Sequence, residues 1–136
     1  MLMLEDVRQF VSDLGIAVDD SVYMGKLDSK KEESIGVYNS KHTHEYSRAI
    51  GGKQNESYGV KYVTLLVHWD DSPRSTEKVA CRLFEDLERA REVTINNEQI
   101  KFIQPLVSEP VELGTDDSGI YEKSIEVAIY YERKGE

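Results

Sequence analysis

Two stretches of this chain have the composition of long β-strands, and they constrain the fold more than any other feature. Residues 60–69 are rich in β-branched and aromatic side chains and are nearly continuously apolar from Val63 to Val67, which is typical of a strand in the middle of a sheet. Residues 121–131 alternate with a period of two, as expected for a strand with one buried face. The sequence therefore predicts a domain built around a sheet.

Two further segments have the apolar spacing of amphipathic helices. Residues 3–14 place Leu4, Val7 and Val11 on one face, and Gly15 provides a stop signal. Ser72 and Pro73 have the order of an N-cap and a first helical residue. A longer helix is predicted from there to about residue 91, with one face formed by Thr76, Ala80, Leu83, Phe84 and Leu87.

The remaining chain divides into short strands and polar loops. Strands are predicted at residues 18–24, 35–38, 93–95 and 100–107, and loops at residues 25–34, 39–59 and 114–119. The prediction is an α+β fold: an antiparallel or mixed sheet flanked by an N-terminal helix and one longer central helix. A length of 136 residues suits a single domain over residues 1–136.

Charge and cysteine content exclude several classes of protein. The net charge of -9 and the sequence pI near 4.9 argue against a protein that holds nucleic acid through phosphate contacts, so no specific nucleic-acid binding is expected. Cys81 is the only cysteine, which rules out an internal disulfide and favours folding in a cytoplasm. No apolar run is long enough to span a membrane, so no membrane partner is expected.

The search for reactive groups yields no catalytic residue and no cofactor site. His42 and His44 are two residues apart and could begin a metal site, but no third or fourth ligand is evident. Cys81 lies in the predicted long helix as a small half-buried residue, and Arg82 is its only adjacent basic residue, so an activated thiol is not indicated. Asp116–Gly119 lacks the acid spacing of a calcium loop and is better explained as a turn with local Asx hydrogen bonds.

Several short motifs, taken in order, resemble the minor capsid or tail-terminator proteins of long-tailed bacteriophages of Gram-positive hosts. The resemblance covers most of the chain after the first helix. It rests on residues 35–38, residues 49–52, residues 63–69, the helix that begins near residue 75, and residues 109–122.

The resemblance implies a structural protein without enzymatic activity. Such a protein assembles as a ring, commonly a hexamer, on the end of the tail tube and presents a surface to the head connector. Its partners would be further copies of itself, the tail tube protein and the head-tail connector protein. It would belong to the tail or neck of the virion after assembly in the host cytoplasm.

Under that hypothesis, the predicted loops at residues 39–59 and 114–119 are candidates for contacts with neighbouring subunits or with the tube. Pairing of strand edges between subunits would also protect the edges of the sheet. The candidate interface residues are Lys41, His44, Tyr46, Arg48, Lys53, Tyr58, Thr115, Asp116, Asp117 and Tyr121.

Two alternatives remain open from the sequence. The first is a small metal-binding or ligand-binding domain, or an enzyme, that uses His42 and His44 with the acidic loop at residues 114–119. The second is a monomeric accessory domain. A hydrophobic content of 39% mildly disfavours a self-sufficient monomer.

Overall fold

The computed structural model describes residues 1–25, 28, 30–40 and 58–133. These residues form an α+β fold with two α-helices and a mixed sheet, which confirms the predicted fold class. The elements in chain order are α1 (Leu4–Asp13), a 3₁₀-helix (Asp19–Ser21), β1 (Val22–Met24), β2 (Ser34–Asn39), β3 (Tyr58–His68), α2 (Pro73–Arg89), β4 (Arg91–Ile95), β5 (Glu98–Pro105), β6 (Val111–Thr115) and β7 (Tyr121–Glu132).

The two long strands predicted from the sequence form the middle of the sheet. The strand order is β1-β2-β3-β7-β5-β4, with β6 paired to β7 as well. Only β1 and β2 pair in parallel among the described strands, and the other pairs are antiparallel. One edge of β7 pairs with the whole of β3. The other edge pairs with β6 along residues 121–124 and with β5 along residues 127–131.

Both helices pack on one side of the sheet, which we call the core side. Alternate residues of β3 and β7 face this side and are buried with the helices in one cluster. The cluster includes Val63, Leu65, Val67, Ile125, Val127 and Ile129 from the strands, Val7, Phe10 and Val11 from α1, and Ala80, Leu83 and Leu87 from α2. Burial of this apolar surface is the main source of stability.

The start of α2 confirms the predicted cap. The Ser72 hydroxyl oxygen accepts a hydrogen bond from the Ser75 amide at 3.2 Å, and Pro73 is the first helical residue. Asp70 supports the same turn, because its carboxylate accepts bonds from the Ser72 amide at 3.0 Å and from the Ser75 hydroxyl at 2.8 Å. These oxygens satisfy amides that have no partner within the helix.

Helix α1 joins the two ends of the sheet. It contacts β1 and β2 at one end of the strand order and β4 at the other. Its Asp6 is buried, accepting one hydrogen bond from the Met3 amide at 2.8 Å and another from the side-chain amide of Asn96 at 3.0 Å. Asn96 lies in the turn between β4 and β5. The sheet is therefore curled, with α1 across its open side.

The prediction of a strand over residues 18–24 was wrong in its first half. Residues 19–21 form a 3₁₀-helix, and β1 covers only Val22–Met24. Side chains of α1 hold this segment: the Ser12 hydroxyl donates to the Asp19 carboxylate at 2.7 Å, and Arg8 donates to the Val22 carbonyl at 2.9 Å. The Arg8 bond gives the Val22 carbonyl a side-chain partner, and the Ser12 bond fixes the Asp19 side chain against α1.

The predicted loop at residues 39–59 was too long at both ends. Asn39 is the last residue of β2, and Tyr58 and Gly59 begin β3. Gly59 lies opposite Tyr131, whose ring occupies the space of a side chain at this position, since a Cβ on Gly59 would lie 2.5 Å from Tyr131 Cζ. The glycine thus permits an aromatic ring to cross the strand.

The predicted loop at residues 114–119 was also too long, because Gly114 and Thr115 belong to β6. The register shifts between Glu112 and Gly114, and Gly114 has a φ of 86°, as expected of a bulge that needs glycine. The helix prediction needs a correction at Cys81, which is exposed rather than half-buried.

Candidate functional site

The side of the sheet opposite the two helices presents a broad surface, which we call the outer face. It is formed by the alternate strand residues that point away from the core, which the register pairs place side by side on neighbouring strands. Most of them are partly or fully exposed. The outer face comprises Tyr23, Ser34, Gly36, Tyr38, Tyr58, Val60, Tyr62, Thr64, Leu66, His68, Arg91, Phe102, Gln104, Val111, Glu122, Ser124, Glu126, Ala128, Tyr130 and Glu132.

The outer face is rich in aromatic side chains and poor in charge. It contains five of the eight tyrosines, namely Tyr23, Tyr38, Tyr58, Tyr62 and Tyr130. Its central strands β2, β3 and β7 contribute neither lysine nor arginine to it, and Arg91 lies at the β4 edge opposite Phe102. Enrichment in tyrosine and depletion of lysine distinguish the buried centre of protein interfaces from the rest of a protein surface.

Three of these rings form a row across strands β3, β7 and β5, and we call this part of the outer face the aromatic end. Phe102 stacks on Tyr130 with ring centroids 4.4 Å apart and planes 12° apart. Tyr58 lies 5.8 Å from Tyr130 at a tilt of 44°. Tyr58 and Phe102 remain 53% and 38% exposed, so a large aromatic area is still in contact with water.

The opposite end of the β3–β7 pair is polar, and we call it the polar end. His68 is fully buried there between two carboxylates. Its Nδ1 lies 2.9 Å from Glu122 Oε2, and its Nε2 lies 3.7 Å from Asp116 Oδ2. Both carboxylates are partly exposed, at 21% and 17%. One imidazole thus links β3, β7 and the loop that precedes β7.

That loop is organised by Asp116. Its carboxylate accepts hydrogen bonds from the amides of Ser118 at 2.9 Å and Ile120 at 3.0 Å, which confirms the predicted Asx turn. The bond from the Ile120 amide is the largest cause that lowers the pKa of the Asp116 carboxyl below 3.8. The Ser118 amide and the charge of His68 act in the same direction, and burial opposes them.

The polar end brings together four of the residues predicted as interface residues. Thr115 pairs with Tyr121 between β6 and β7, and Asp116 and Asp117 follow in the turn. Tyr121 is further fixed by backbone bonds, its amide donating to Asp70 at 2.8 Å and its carbonyl accepting from Trp69 at 3.2 Å.

Tyr58 lies far from those four, because its register partner Glu132 is at the other end of β7 from Tyr121. The other predicted residues lie outside the described part of the chain: Lys41, His42, His44, Tyr46, Arg48 and Lys53.

Sequence reasoning missed Phe102, Tyr130 and the pairing of His68 with carboxylates. Tyr130 belongs to the polar set of the alternation in β7, together with Glu126 and Ser124. A large aromatic residue at an outward-facing position of a strand could have indicated a contact surface in the sequence. The partners of His68 gave no such signal, because Glu122 is 54 residues away in sequence.

The described residues contain no group of three or more His, Cys, Asp or Glu side chains placed to hold a metal ion. In the described chain, neither helix has the length and apolar character needed to cross a membrane.

The outer face has the composition of a protein–protein contact surface. Subunits of structural assemblies act through such surfaces. The family model described as bacteriophage tail terminator protein matches residues 10–133. The chain therefore belongs to the bacteriophage tail terminator family and is a structural component of a phage tail. This confirms the resemblance found in the sequence. No curated protein and no solved structure matches the chain.

Proposed function

We propose that this protein forms a ring of identical subunits, commonly six, that caps the end of the tail tube and joins it to the head connector. The ring stops polymerisation of the tube and gives the connector a surface to bind. Its partners are other copies of the chain, the tail tube protein and the head-tail connector protein. Membership of the tail terminator family supports this role.

The observation that carries the proposal is the outer face. Its exposed aromatic rings, and the absence of lysine and arginine from the part formed by β2, β3 and β7, fit a surface that becomes buried on assembly. A ring needs two different contact surfaces on each subunit, because its subunits meet head to tail. The outer face is one of them.

The two polar segments predicted from the sequence supply further contacts in this proposal. Residues Lys41, His44, Tyr46, Arg48, Lys53 and Tyr58 would contact an adjacent subunit or the tube, as would Thr115, Asp116, Asp117 and Tyr121. The acidic net charge of -9 would let DNA pass through the ring, because like charge repels phosphate.

The test is the solution mass, measured by light scattering over a concentration series and accompanied by negative-stain images. Closed rings of constant mass are the expected result. If the chain stays monomeric, purified tail tubes are added, and capping is read from the arrest of tube growth. A monomer that neither forms rings nor stops tube growth would refute the proposal.

A matched pair of variants connects the test to the outer face. Tyr130→Lys places a charge in the aromatic row, and Glu5→Lys places one on an exposed position of α1. The proposal expects the first variant to lose rings or capping and the second to keep them. If the two variants assembled equally well, the outer face would not be an assembly contact.

A further inference from the structure

The first half of α2 carries a line of cations on the side that points away from the sheet, and exposed acids lie beside this line at Glu77 and beyond it at Glu85 and Glu88. Arg74, Lys78 and Arg82 follow each other at intervals of four residues, which aligns them along the helix. All three are exposed, and none has a hydrogen bond or an ion pair with another described residue. Arg89 differs, because it pairs with Glu85 at 3.3 Å.

The outer face carries the opposite charge. Its acidic residues are Glu122, which pairs with His68 at the polar end, Glu126, near the middle of β7, and Glu132, at the aromatic end. Because Arg91 lies at the β4 edge and the central strands add no lysine or arginine to the face, the middle of the outer face is acidic and aromatic. The two surfaces lie on opposite sides of the molecule, because α2 packs on the core side of the sheet.

The line of cations fits within the length of the outer face, and the chemistry of the two surfaces is complementary. From Arg74 to Arg82 the helix rises about 12 Å over eight residue steps, and from Glu126 to Glu132 the strand extends about 20 Å over six residue steps. Arginine and lysine also lay their aliphatic stems on apolar surface and their cations on aromatic rings. Tyr62, Tyr130 and Phe102 provide such rings beside the acids.

We propose that α2 of one copy of this chain lies on the outer face of the next copy, with Arg74, Lys78 and Arg82 over the acidic and aromatic side chains. This inference rests on the proposed ring and names the two surfaces that meet in it. Because the surfaces are different and opposite, the contact repeats head to tail. Each copy would use both surfaces, as ring closure requires.

Cys81 makes the contact testable. It is the only cysteine, it is exposed, and it lies beside Arg82 on the outward side of α2. Thr64 lies in the middle of the outer face, opposite Tyr38 on one strand and Glu126 on the other. In a Thr64→Cys variant, a short thiol–thiol cross-linker should join Cys81 of one copy to position 64 of the next and produce a ladder beyond the dimer.

Three matched proteins serve as controls. The unaltered chain and Thr64→Cys with Cys81→Ser each hold one thiol and should stop at the dimer. Glu5→Cys with Cys81 retained holds two exposed thiols, one of them outside both proposed surfaces. It should give no ladder at the same protein concentration.

Light scattering on the same samples separates the two proposals. Rings by mass together with a Thr64→Cys ladder support the inference. Rings without that ladder, or with an equal ladder from Glu5→Cys, overturn the inference and leave the proposed ring intact. Failure to form rings, alone and with tail tubes, overturns both.

A charge exchange provides a second measurement that does not depend on cross-linking. Arg82→Glu and Glu126→Arg, made singly, should each shift the assembly midpoint to at least several-fold higher protein concentration. Combined in one chain, they restore an opposite-charge contact and should bring the midpoint back toward that of the unaltered protein. Additive losses in the double variant would contradict a contact between these positions.

Discussion

The two ends of the β3–β7 pair are built in opposite ways. At the polar end, a fully buried His68 lies between Glu122 and Asp116. At the aromatic end, Tyr58 and Phe102 lean on Tyr130 while much of their own surface stays exposed. Hydrogen bonds to a buried group stabilise the folded subunit, whereas exposed rings contribute most free energy when another protein surface buries them. One strand pair thus combines a stabilising end with a binding end.

The largest effect is expected at the polar end. His68→Ala would remove a buried ring and leave two carboxylates without their shared partner, so we expect a loss of about 2–4 kcal/mol in the free energy of unfolding. Urea denaturation followed by circular dichroism measures it. Tyr130→Ala is the matched change at the other end and should cost less than half as much. Equal losses would contradict the division between the ends.

A second variant examines the core side of the aromatic end. Gly59→Ala would place a Cβ within 2.5 Å of the buried Tyr131 ring, so the ring or the strand must shift. We expect a destabilisation of about 1–3 kcal/mol, measured in the same way. Pairing it with Tyr131→Leu, which removes the ring, should recover part of the loss. No recovery would mean that the strain has another source.

A double-mutant cycle measures the stack on the outer face. The coupling between Phe102→Ala and Tyr130→Ala should be about 1 kcal/mol in the unfolding of the monomer, as found for stacked aromatic pairs. The same cycle on Phe102 and Tyr58, whose rings both contact Tyr130 but are not themselves paired in the described structure, should give a smaller value. Equal couplings would mean that the stack adds nothing specific.

The smallest expected effect is the pH dependence of stability that Asp116 contributes. The pKa of Asp116 is lowered in the folded protein, so its contribution to stability is present above its unfolded pKa and is lost as the pH falls through its folded pKa. Asp116→Asn should therefore be less stable than the parent at pH 7, and the difference should shrink below about pH 4. Urea midpoints at the two pH values provide the measurement. A difference that does not depend on pH would rule out the charge as its cause.

Local patterns predicted most of the framework. The alternation in residues 121–131, the apolar run in residues 63–67 and the cap at Ser72 each depend on neighbours in sequence, and each corresponds to an element of the structure. The Asx turn at Asp116 is equally local, since its acceptor and donors are at most four residues apart. Such features depend on backbone propensity and periodicity alone.

The features that could not be predicted depend on contacts between residues far apart in the sequence. β6 was missed because Val111 and Leu113 are both exposed and give no alternating burial. The outer face was missed because only the register between β7 and β5 brings Phe102 opposite Tyr130. The short β1 follows from bonds made by Arg8, fourteen residues before Val22. Tertiary contacts overrode the propensities of these segments.

The position of α1 across the curled sheet has a consequence for the order of folding. Its bond from Asp6 to Asn96 joins residues 90 apart in sequence, so it closes a long loop whose entropy must be lost first. Helix α1 can contact the nearby β1 and β2 early, but its contact with β4 requires the far end of the sheet to be in place. We expect α1 to complete its docking late, and its amides to exchange with deuterium sooner than those of β3 and β7. The first helix of the chain would then be the last element to complete its packing.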